Sequence, residues 1–282
     1  MTIKLGVVMD PIEGINVRKD STLAMLLEAQ RRAWHIDYLQ PSDLFLRGVE
    51  VMGHATRVSS VQNDLQHWVE LGTRGVRNLK EFDVILMRKD PPFDMEYIYT
   101  TYLLEHVQHA GTLVVNHPAS LRNANEKLIA TRFEECTVPF VVSKNREALE
   151  QFVDEHEETV IQPLDSMAGD SVFRIGHGDP NRNVILETAT QSGTRTVMVQ
   201  KLIADYRQGD KRILLIGGEP VPYALVRVPA LGELRANLDK GGIPNSAALT
   251  ERDRWICEQV GPQLKAMQID FAGIDVIGDF LT

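Results

Sequence analysis

The sequence has little cysteine, no excess of positive charge and no long apolar run. Two cysteines in 282 residues, Cys136 and Cys257, exclude a disulfide framework and favour a reducing compartment. No run approaches the ~20 apolar residues that span a bilayer, and Lys4 and Asp10 leave no room for a signal peptide. Lys plus Arg number 30 against 39 Asp plus Glu, a formal charge of −9, which argues against a nucleic-acid partner. We therefore expect a soluble, cytoplasmic, globular protein that binds neither nucleic acid nor membrane.

The first 122 residues carry the pattern of an open parallel α/β domain. Residues 3–9 form a branched apolar run, and Asp20 and Ser21 stand in capping position before a helix-periodic segment. Runs at 84–87 and 112–115 predict two more strands, and apolar spacing over 97–109 predicts the crossover helix between them.

The pattern changes after Arg122, where we place a domain boundary within 120–125. We predict helices over 128–133, 149–153 and 251–267. We predict strands over 140–142, 172–175, 196–200, 212–216, 221–228 and 271–277. Helices followed by a series of antiparallel strands indicate an α+β domain.

Two loops are candidates for ligand binding. Residues 88–94 (Arg-Lys-Asp-Pro-Pro-Phe-Asp) follow a predicted strand, and open α/β sheets bind ligands at that end of their strands. Residues 163–171 form a small-residue loop whose backbone N–H groups are suited to phosphate. A rigid surface turn and a plain hairpin loop are the respective alternatives.

Charged residues near the later strands are further candidates. Lys211, Arg212, Arg227 and Arg235 can converge on carboxylate or phosphate oxygens, or they are exposed edge charges. Asp275 lies within an apolar strand and needs a partner such as Mg²⁺, a salt bridge or a capping contact.

The histidines and cysteines predict no site. His106 and His109 are three residues apart on a predicted helix, where we expect solvated side chains rather than metal ligands. Cys136 is expected to be buried and inert.

Together these segments resemble the bacterial glutathione synthetases of the ATP-grasp superfamily. The resemblance is carried, in the expected order, by residues 5–11, 19–21, 24–30, 83–94, 125–127, 209–212, 218–223 and 275–279. It covers essentially the whole chain, and the unbroken block around 87–94 is specific to the family.

The resemblance implies a fold and a reaction. Residues 1–122 would form an N-terminal α/β substrate domain, and 123–200 and 201–282 the two α+β subdomains of an ATP-grasp fold. ATP would phosphorylate the cysteinyl carboxylate of γ-glutamylcysteine, and glycine would attack the acyl phosphate to give glutathione, ADP and phosphate. Mg²⁺, or Mn²⁺, would assist, and the assembly would be a homotetramer.

The resemblance also implies roles for individual residues. Arg212, Arg227 and Arg235 match arginines of catalysis and carboxylate binding, Asp275 matches a magnesium ligand, and residues 227–242 match a loop that closes over the site. The nucleotide would be bound by Lys127, Gln162, Ser166, Met167, Gly169, Gln200, Lys201, Leu202 and, at the ribose, Asp210.

Several positions depart from the family pattern. Gln162 stands where members usually have lysine, residues 166–169 read Ser-Met-Ala-Gly instead of Gly-Met-Gly-Gly, and acidic Asp170 follows. Ala236 replaces a glycine, and the sequence stops at Thr282, just before a Glu-x-Asn segment with further metal ligands, so we expect a truncated C-terminus. Two alternatives stay open: a related carboxylate–amine ligase, and a nucleotide or peptide binder that has lost catalysis.

Overall fold

The computed structural model describes residues 2–165, 170–237 and 241–282. The chain divides into two units, Met1–Asn123 and Ala124–Thr282. Among the described residues no helix is long and apolar enough to cross a membrane.

Unit 1 is built on a mixed sheet with strand order β3-β4-β2-β1-β6-β7, and β5 pairs with β4. Its helices are α1 (Ser21–Arg31), α2 (Met95–His109) and α3 (Pro118–Asn123). Its strands are β1 (Lys4–Met9), β2 (His35–Leu39), β3 (Leu44–Arg47), β4 (Glu50–Val61), β5 (Val69–Asn78), β6 (Val84–Arg88) and β7 (Leu113–Val115).

The parallel centre of this sheet, β2-β1-β6-β7, confirms the predicted α/β fold. Residues 5–9 of β1 are all buried, as expected for a strand covered on both faces. The predicted cap is present, since the Asp20 carboxylate accepts hydrogen bonds from the backbone N–H groups of Thr22 at 2.6 Å and Leu23 at 3.3 Å.

The antiparallel extension β3-β4-β5 was not predicted. Residues 70–77 of β5 are exposed on both faces, so the strand carries no alternation of apolar and polar residues for sequence periodicity to detect.

Unit 2 contains two antiparallel sheets among its described residues. Its helices are α4 (Arg146–Asp154), α5 (Arg182–Ala189) and α6 (Glu251–Ala266). The first sheet comprises β8 (Phe140–Ser143), β9 (Glu158–Pro163), β10 (Phe173–Gly176) and β11 (Val197–Lys201). The second comprises β12 (Asp210–Ile216), β13 (Glu219–Val228), β14 (Ile243–Ala248), β15 (Phe271–Ile277) and β16 (Phe280–Leu281).

Each sheet of unit 2 packs one face against helices. Ile161, Val197 and Val199 share a core with residues of α4 and α5, which leaves Gln162 and Gln200 on the opposite face of the first sheet. In the second sheet, a core with α6 is formed by Ile213, Leu215, Ile274 and Val276. Strand alternation therefore directs Asp210, Arg212 and Asp275 to the helix-free face.

Two details differ from the predicted helices and strands of unit 2. The helix predicted over 128–133 is a short 3₁₀ turn, Ile129–Arg132. The Asn125 side chain accepts hydrogen bonds from the N–H groups of Lys127 and Leu128, a local bond that competes with an α-helix. Helix α5 and strands β14 and β16 were not predicted.

Candidate functional site

A pocket opens on the helix-free face of the first sheet of unit 2. It brings together three residues that were predicted to bind the nucleotide and that lie far apart in the sequence: Lys127, Gln162 and Gln200. The remaining lining residues are Ala130, Thr131, Thr137, Val138, Phe140, Met198, Leu281 and Thr282. The pocket is mixed in polarity, and Lys127 supplies the cation among these residues.

The two glutamines form a neutral wall of the pocket. The Gln162 Nε2 group lies 3.5 Å from Gln200 Oε1 and 3.8 Å from the Met198 sulfur. Lys127 is 14% exposed, and its Nζ lies 3.0 Å from Glu126 Oε1. An amide carries no positive charge, so the positive charge among the lining residues is concentrated at Lys127.

The two residues after Gln200 use their backbone N–H groups inside the fold. The Lys201 N–H donates to the Pro139 carbonyl and the Leu202 N–H to the Glu158 carbonyl, each at 2.9 Å. The Lys201 side chain is exposed and Leu202 is half-buried. An adenine ring at this position would therefore contact the side chains or carbonyl groups of Lys201 and Leu202 and not their backbone N–H groups.

The helix-free face of the second sheet holds a cluster of four charges, which we call the open-face cluster: Asp210, Arg212, Arg227 and Asp275. The strand register places Arg212 opposite Asp275, and Asp210 opposite Arg227. The Arg212 guanidinium grips Asp275 in a fork, with Nε–Oδ1 2.5 Å and Nη2–Oδ2 2.8 Å. Arg227 also lies 2.7 Å from Asp275 Oδ1 and donates to Asp210.

The cluster separates the pKa values of its two carboxyl groups. Burial opposes the charge of Asp275, but the guanidiniums of Arg212 and Arg227 hold its pKa below the ordinary value. Burial, followed by repulsion from Asp275, raises the pKa of Asp210 to about 7. The cluster thus favours the charged form of Asp275 and the neutral form of Asp210.

The open-face cluster is incompletely hydrogen-bonded. Within the described parts of the chain, Asp210 Oδ1 and Arg227 Nε are buried and have no hydrogen-bond partner. A buried polar atom without a partner is costly. The cluster therefore contains one acceptor and one donor whose hydrogen-bonding capacity is unused by these parts of the chain.

The pocket and the open-face cluster adjoin. Thr282, which lines the pocket, donates its backbone N–H to the Asp275 carbonyl at 2.9 Å. On the other side, Lys127 follows Glu126. Burial opposes the charge of Arg212, but the negative charges of Asp275, Asp210 and, to a smaller extent, Glu126 raise its pKa. A nucleotide in the pocket would thus approach the cluster.

Lys211 is not part of this cluster, contrary to the grouping expected from the sequence. Its Nζ pairs with Asp253 on the α6 side of the sheet and lies 3.1 Å from the Gly278 carbonyl. Neighbouring residues of a strand point to opposite faces, so Lys211 and Arg212 cannot bind one ligand.

Some of the predicted site residues lie neither in the pocket nor in the open-face cluster. Arg235 forms a fork with Glu233, with Nε–Oε1 3.0 Å and Nη2–Oε2 2.8 Å. This bond chiefly raises the pKa of Arg235, and the negative charge of Asp170 adds to it. Ser166, Met167 and Gly169 lie outside the described residues, as do residues 238–240 of the predicted closing loop.

The first two residues of the candidate segment 88–94 of unit 1 are bonded to the start of α1 and to the residue that follows β1. Arg88 donates to the Ser21 hydroxyl at 2.9 Å and to the Thr22 hydroxyl at 3.1 Å. Lys89 Nζ lies 2.8 Å from Asp10 Oδ1. Burial lowers the pKa of Arg88. These charges lie at the carboxyl ends of β1 and β6.

The donor set of the described residues fits a metal held jointly with a substrate. No group of three or more His, Cys, Asp or Glu side chains in these residues is arranged to hold a metal ion alone. Asp275 is ionised and adjoins the pocket. Mg²⁺ commonly uses one or two carboxylates together with substrate phosphates and water.

His106 and His109 are exposed at the end of α2, as expected of solvated side chains, and Cys136 is buried. Burial raises the pKa of Cys136, which keeps its thiol neutral. Sequence reasoning missed Asp253, the buried partner of Lys211. Thr250 and Asp253 form a capping box at the start of α6, and their spacing is the signal that predicts it.

Family comparisons cover nearly the whole chain. Residues 3–122 match the prokaryotic glutathione synthetase N-terminal domain, and residues 126–282 match the prokaryotic glutathione synthetase ATP-grasp domain. The chain is 51% identical over 282 residues to the glutathione synthetase of Pseudomonas aeruginosa, covering 100% of this chain and 89% of that protein. It is 48% identical over 280 residues to the Escherichia coli K12 glutathione synthetase, covering 99% and 88%.

Solved structures share the fold at low sequence identity. D-cycloserine synthetase DcsG aligns with a TM-score of 0.65 at 14% identity, covering 97% of this chain and 86% of that one. D-alanyl-alanine synthetase A from Vibrio cholerae aligns with a TM-score of 0.58 at 10% identity, covering 98% and 84%. The predicted fold class is thereby confirmed, and the chain belongs to the prokaryotic glutathione synthetase family of ATP-dependent ligases with the ATP-grasp fold.

Proposed function

We propose that this chain joins γ-glutamylcysteine to glycine at the expense of ATP, and that the pocket and the open-face cluster of unit 2 carry the reaction. The cysteinyl carboxylate takes the γ-phosphoryl group of ATP, which gives an acyl phosphate and ADP. The glycine amine then attacks the acyl carbon, the new C–N bond forms, and inorganic phosphate leaves as the amine loses its proton.

The observation that carries this proposal is the incompletely bonded cluster beside the pocket. Acyl phosphate formation crowds negative charge onto phosphate and carboxylate oxygens, and fixed guanidiniums stabilise such charge without reorganising. Arg227 keeps an unpartnered Nε, and Arg212 is already fixed in place by Asp275. We assign both arginines to the reacting groups, with Arg235 contributing from its own loop.

We assign the nucleotide to the pocket. Lys127 would neutralise its phosphates, with Gln162 and the segment of Ser166, Met167 and Gly169 completing the phosphate contacts. Gln200, Lys201 and Leu202 would contact the base, and the free oxygen of Asp210 would accept a ribose hydroxyl. Residues 1–122 would serve as the substrate domain, and 123–200 and 201–282 as the two halves of the ATP-grasp fold.

Asp275 is the residue that we assign to magnesium. The ion, when bound, would neutralise phosphate oxygens of the nucleotide; manganese is a predicted substitute. Arg212 and Arg227 already share the Asp275 oxygens, so they would fix the carboxylate and hold it ionised for that purpose. A cytoplasmic location stays a prediction from the sequence composition, and a homotetrameric assembly stays a prediction from the family resemblance.

The test is ADP release by the purified chain with Mg–ATP, γ-glutamylcysteine and glycine, each omitted in turn. We expect turnover that requires all three, with glutathione formed in proportion to ADP. Binding of ATP by calorimetry without any turnover would instead favour the non-catalytic binder. Turnover with a different amine and none with glycine would favour a related carboxylate–amine ligase.

A further inference from the structure

The Arg212 side chain, which bonds Asp275, lies directly over the backbone of Gly273. Gly273 lies two residues before Asp275 on β15, so both are on the helix-free face, and Gly273 is diagonal to Arg212 across the strand pair. A Cβ built on Gly273 would lie 2.7 Å from Arg212 Cδ, 3.3 Å from its Nε and 3.2 Å from its Nη1. Carbon atoms in ordinary contact are about 3.5–4.0 Å apart.

The backbone of Gly273 does not itself require glycine. Its φ is outside the left-handed region that L side chains avoid, unlike the φ of +118° at Gly209. In a strand interior, glycine is less favourable than other residues. The space above Gly273 is therefore the feature that a side chain would remove, and Arg212 occupies that space.

The fork between Arg212 and Asp275 depends on this route. The two guanidinium contacts of 2.5 and 2.8 Å fix the plane of the group as well as its distance from the carboxylate. A methyl group under Cδ must lift the middle of the side chain away from the sheet. The guanidinium then keeps one contact at most, or turns out of the plane of the carboxylate.

We propose that Gly273 is a positioning residue of the ligase: the absence of its side chain lays Arg212 flat on β15 and sets the angle at which the guanidinium faces the reacting groups. The proposal rests on the role assigned to Arg212 above. It concerns orientation, since the charge of Arg212 and the identity of Asp275 are unchanged in a Gly273 variant.

The test is a double-mutant cycle of Gly273→Ala, Arg212→Ala and the double variant in the full chain. Gly75→Ala is the matched control, because Gly75 is also in a strand, lacks a left-handed φ and has nothing within 4 Å of its added Cβ. The initial rate of glutathione formation gives kcat and the KM of each substrate, and thermal unfolding gives Tm.

We expect Gly273→Ala to lower kcat at least about tenfold, and Gly75→Ala to leave it within about twofold. The changes in kcat and in each KM should be in the same direction as those of Arg212→Ala. In the Arg212→Ala background the added methyl meets no side chain at position 212, so Gly273→Ala should change kcat by less than about twofold.

Three results would overturn the proposal. One is a Gly273→Ala enzyme with the parent kcat while Arg212→Ala is impaired, which would leave the proposed function intact. Another is an equal loss from Gly273→Ala in both backgrounds together with a lowered Tm, which would indicate a general effect on the fold. Full activity of Arg212→Ala would remove the role of Arg212 and the proposal with it.

Discussion

Lys211 and Arg212 are adjacent on β12, and each is paired with a carboxylate, but the two pairs stand on opposite faces of the sheet. Lys211 meets Asp253, which lies in the first turn of α6 and whose side chain is 0% exposed. Arg212 meets Asp275 on the helix-free face, where its own side chain is 39% exposed. Both pairs join a basic side chain to an aspartate, but they differ in how far the surrounding protein covers them.

The difference lies in how completely each group is bonded. Asp253 accepts hydrogen bonds from Lys211 and from the backbone N–H of Thr250, so its two oxygens are both satisfied inside the protein. The open-face cluster keeps Asp210 Oδ1 and Arg227 Nε without partners in the described residues. A completed pair joins helix to sheet, whereas the open-face cluster leaves two polar atoms without hydrogen bonds to the described residues.

The helix-side pair gives a large expected effect on stability. Lys211→Met leaves the Asp253 carboxylate buried without its cation, so we expect the free energy of unfolding in urea to fall by about 3 kcal/mol. The kcat of the molecules that remain folded should stay within about twofold of the parent value, because Lys211 does not face the site.

Lys80→Met is the control for this change, since Lys80 pairs with Glu50 and both side chains are about half exposed. It should cost about 0.5 kcal/mol or less. Equal losses from the two variants would mean that the Thr250 capping contact alone satisfies Asp253, and the contrast between the faces would fail.

The open-face pair should show the reverse behaviour. Arg212→Ala is expected to lower the rate of ADP release about a hundredfold, the usual cost of removing one fixed donor from a charge-stabilising site. Asp275 keeps Arg227 at 2.7 Å, so the free energy of unfolding should fall by less than for Lys211→Met.

Arg174→Ala is the matched control for Arg212, because Arg174 also forks a carboxylate, Glu158, but at an exposed edge of the first sheet. Its rate should equal that of the parent. A large loss of stability in Arg212→Ala with an unchanged rate would show that the open-face pair is structural, like the Lys211–Asp253 pair.

Much of the fold could be predicted because its signals are local. The buried strand β1, the Asp20 cap and the periodicity of α2 are each contained within about a dozen residues, and the structure has all three. The extension β3-β4-β5 was missed because its pairing is with other strands, and β5 exposes both faces.

The candidate site was predictable in its residue types but not in its pairing. The apolar neighbours of Asp275 indicated that it needs a partner, yet choosing Arg212 and Arg227 requires the register of β12, β13 and β15. That register is nonlocal. The wrong grouping of Lys211 with the arginines was avoidable, since strand alternation alone separates residues 211 and 212.

The pocket of the first sheet differs from the open-face cluster because Gln162 and Gln200 give it a wall without charge. Gln162→Lys would add a second cation beside Lys127, and we expect calorimetry to show Mg–ATP binding about tenfold tighter, a gain typical of a charged contact to phosphate. Adenosine, which has no phosphate, is the control ligand and should bind as it does to the parent. Equal tightening of both ligands would place residue 162 against the base.

The pH dependence of stability due to Asp210 tests the charge of the open-face cluster. Its pKa is raised to about 7 by burial and by Asp275, whereas an unfolded aspartate has a pKa near 3.9. Between these values the folded chain retains a proton that the unfolded chain has lost, so Asp210 makes the free energy of unfolding fall as pH rises toward 7, by up to about 4 kcal/mol over the whole interval. Asp210→Asn removes this fall, and urea titrations at several pH values measure it.

Asp64→Asn is the control for this pH series, because hydrogen bonds from the backbone N–H groups of His67 and Gln66 hold the pKa of this exposed carboxyl below its ordinary value. It should keep the parent slope. An unchanged slope in Asp210→Asn would mean that Arg227 holds Asp210 ionised throughout. The open-face cluster would then be neutral, with two guanidiniums and two carboxylates, whereas a protonated Asp210 leaves it a net positive charge. The slope thus measures the net charge of the open-face cluster near neutral pH.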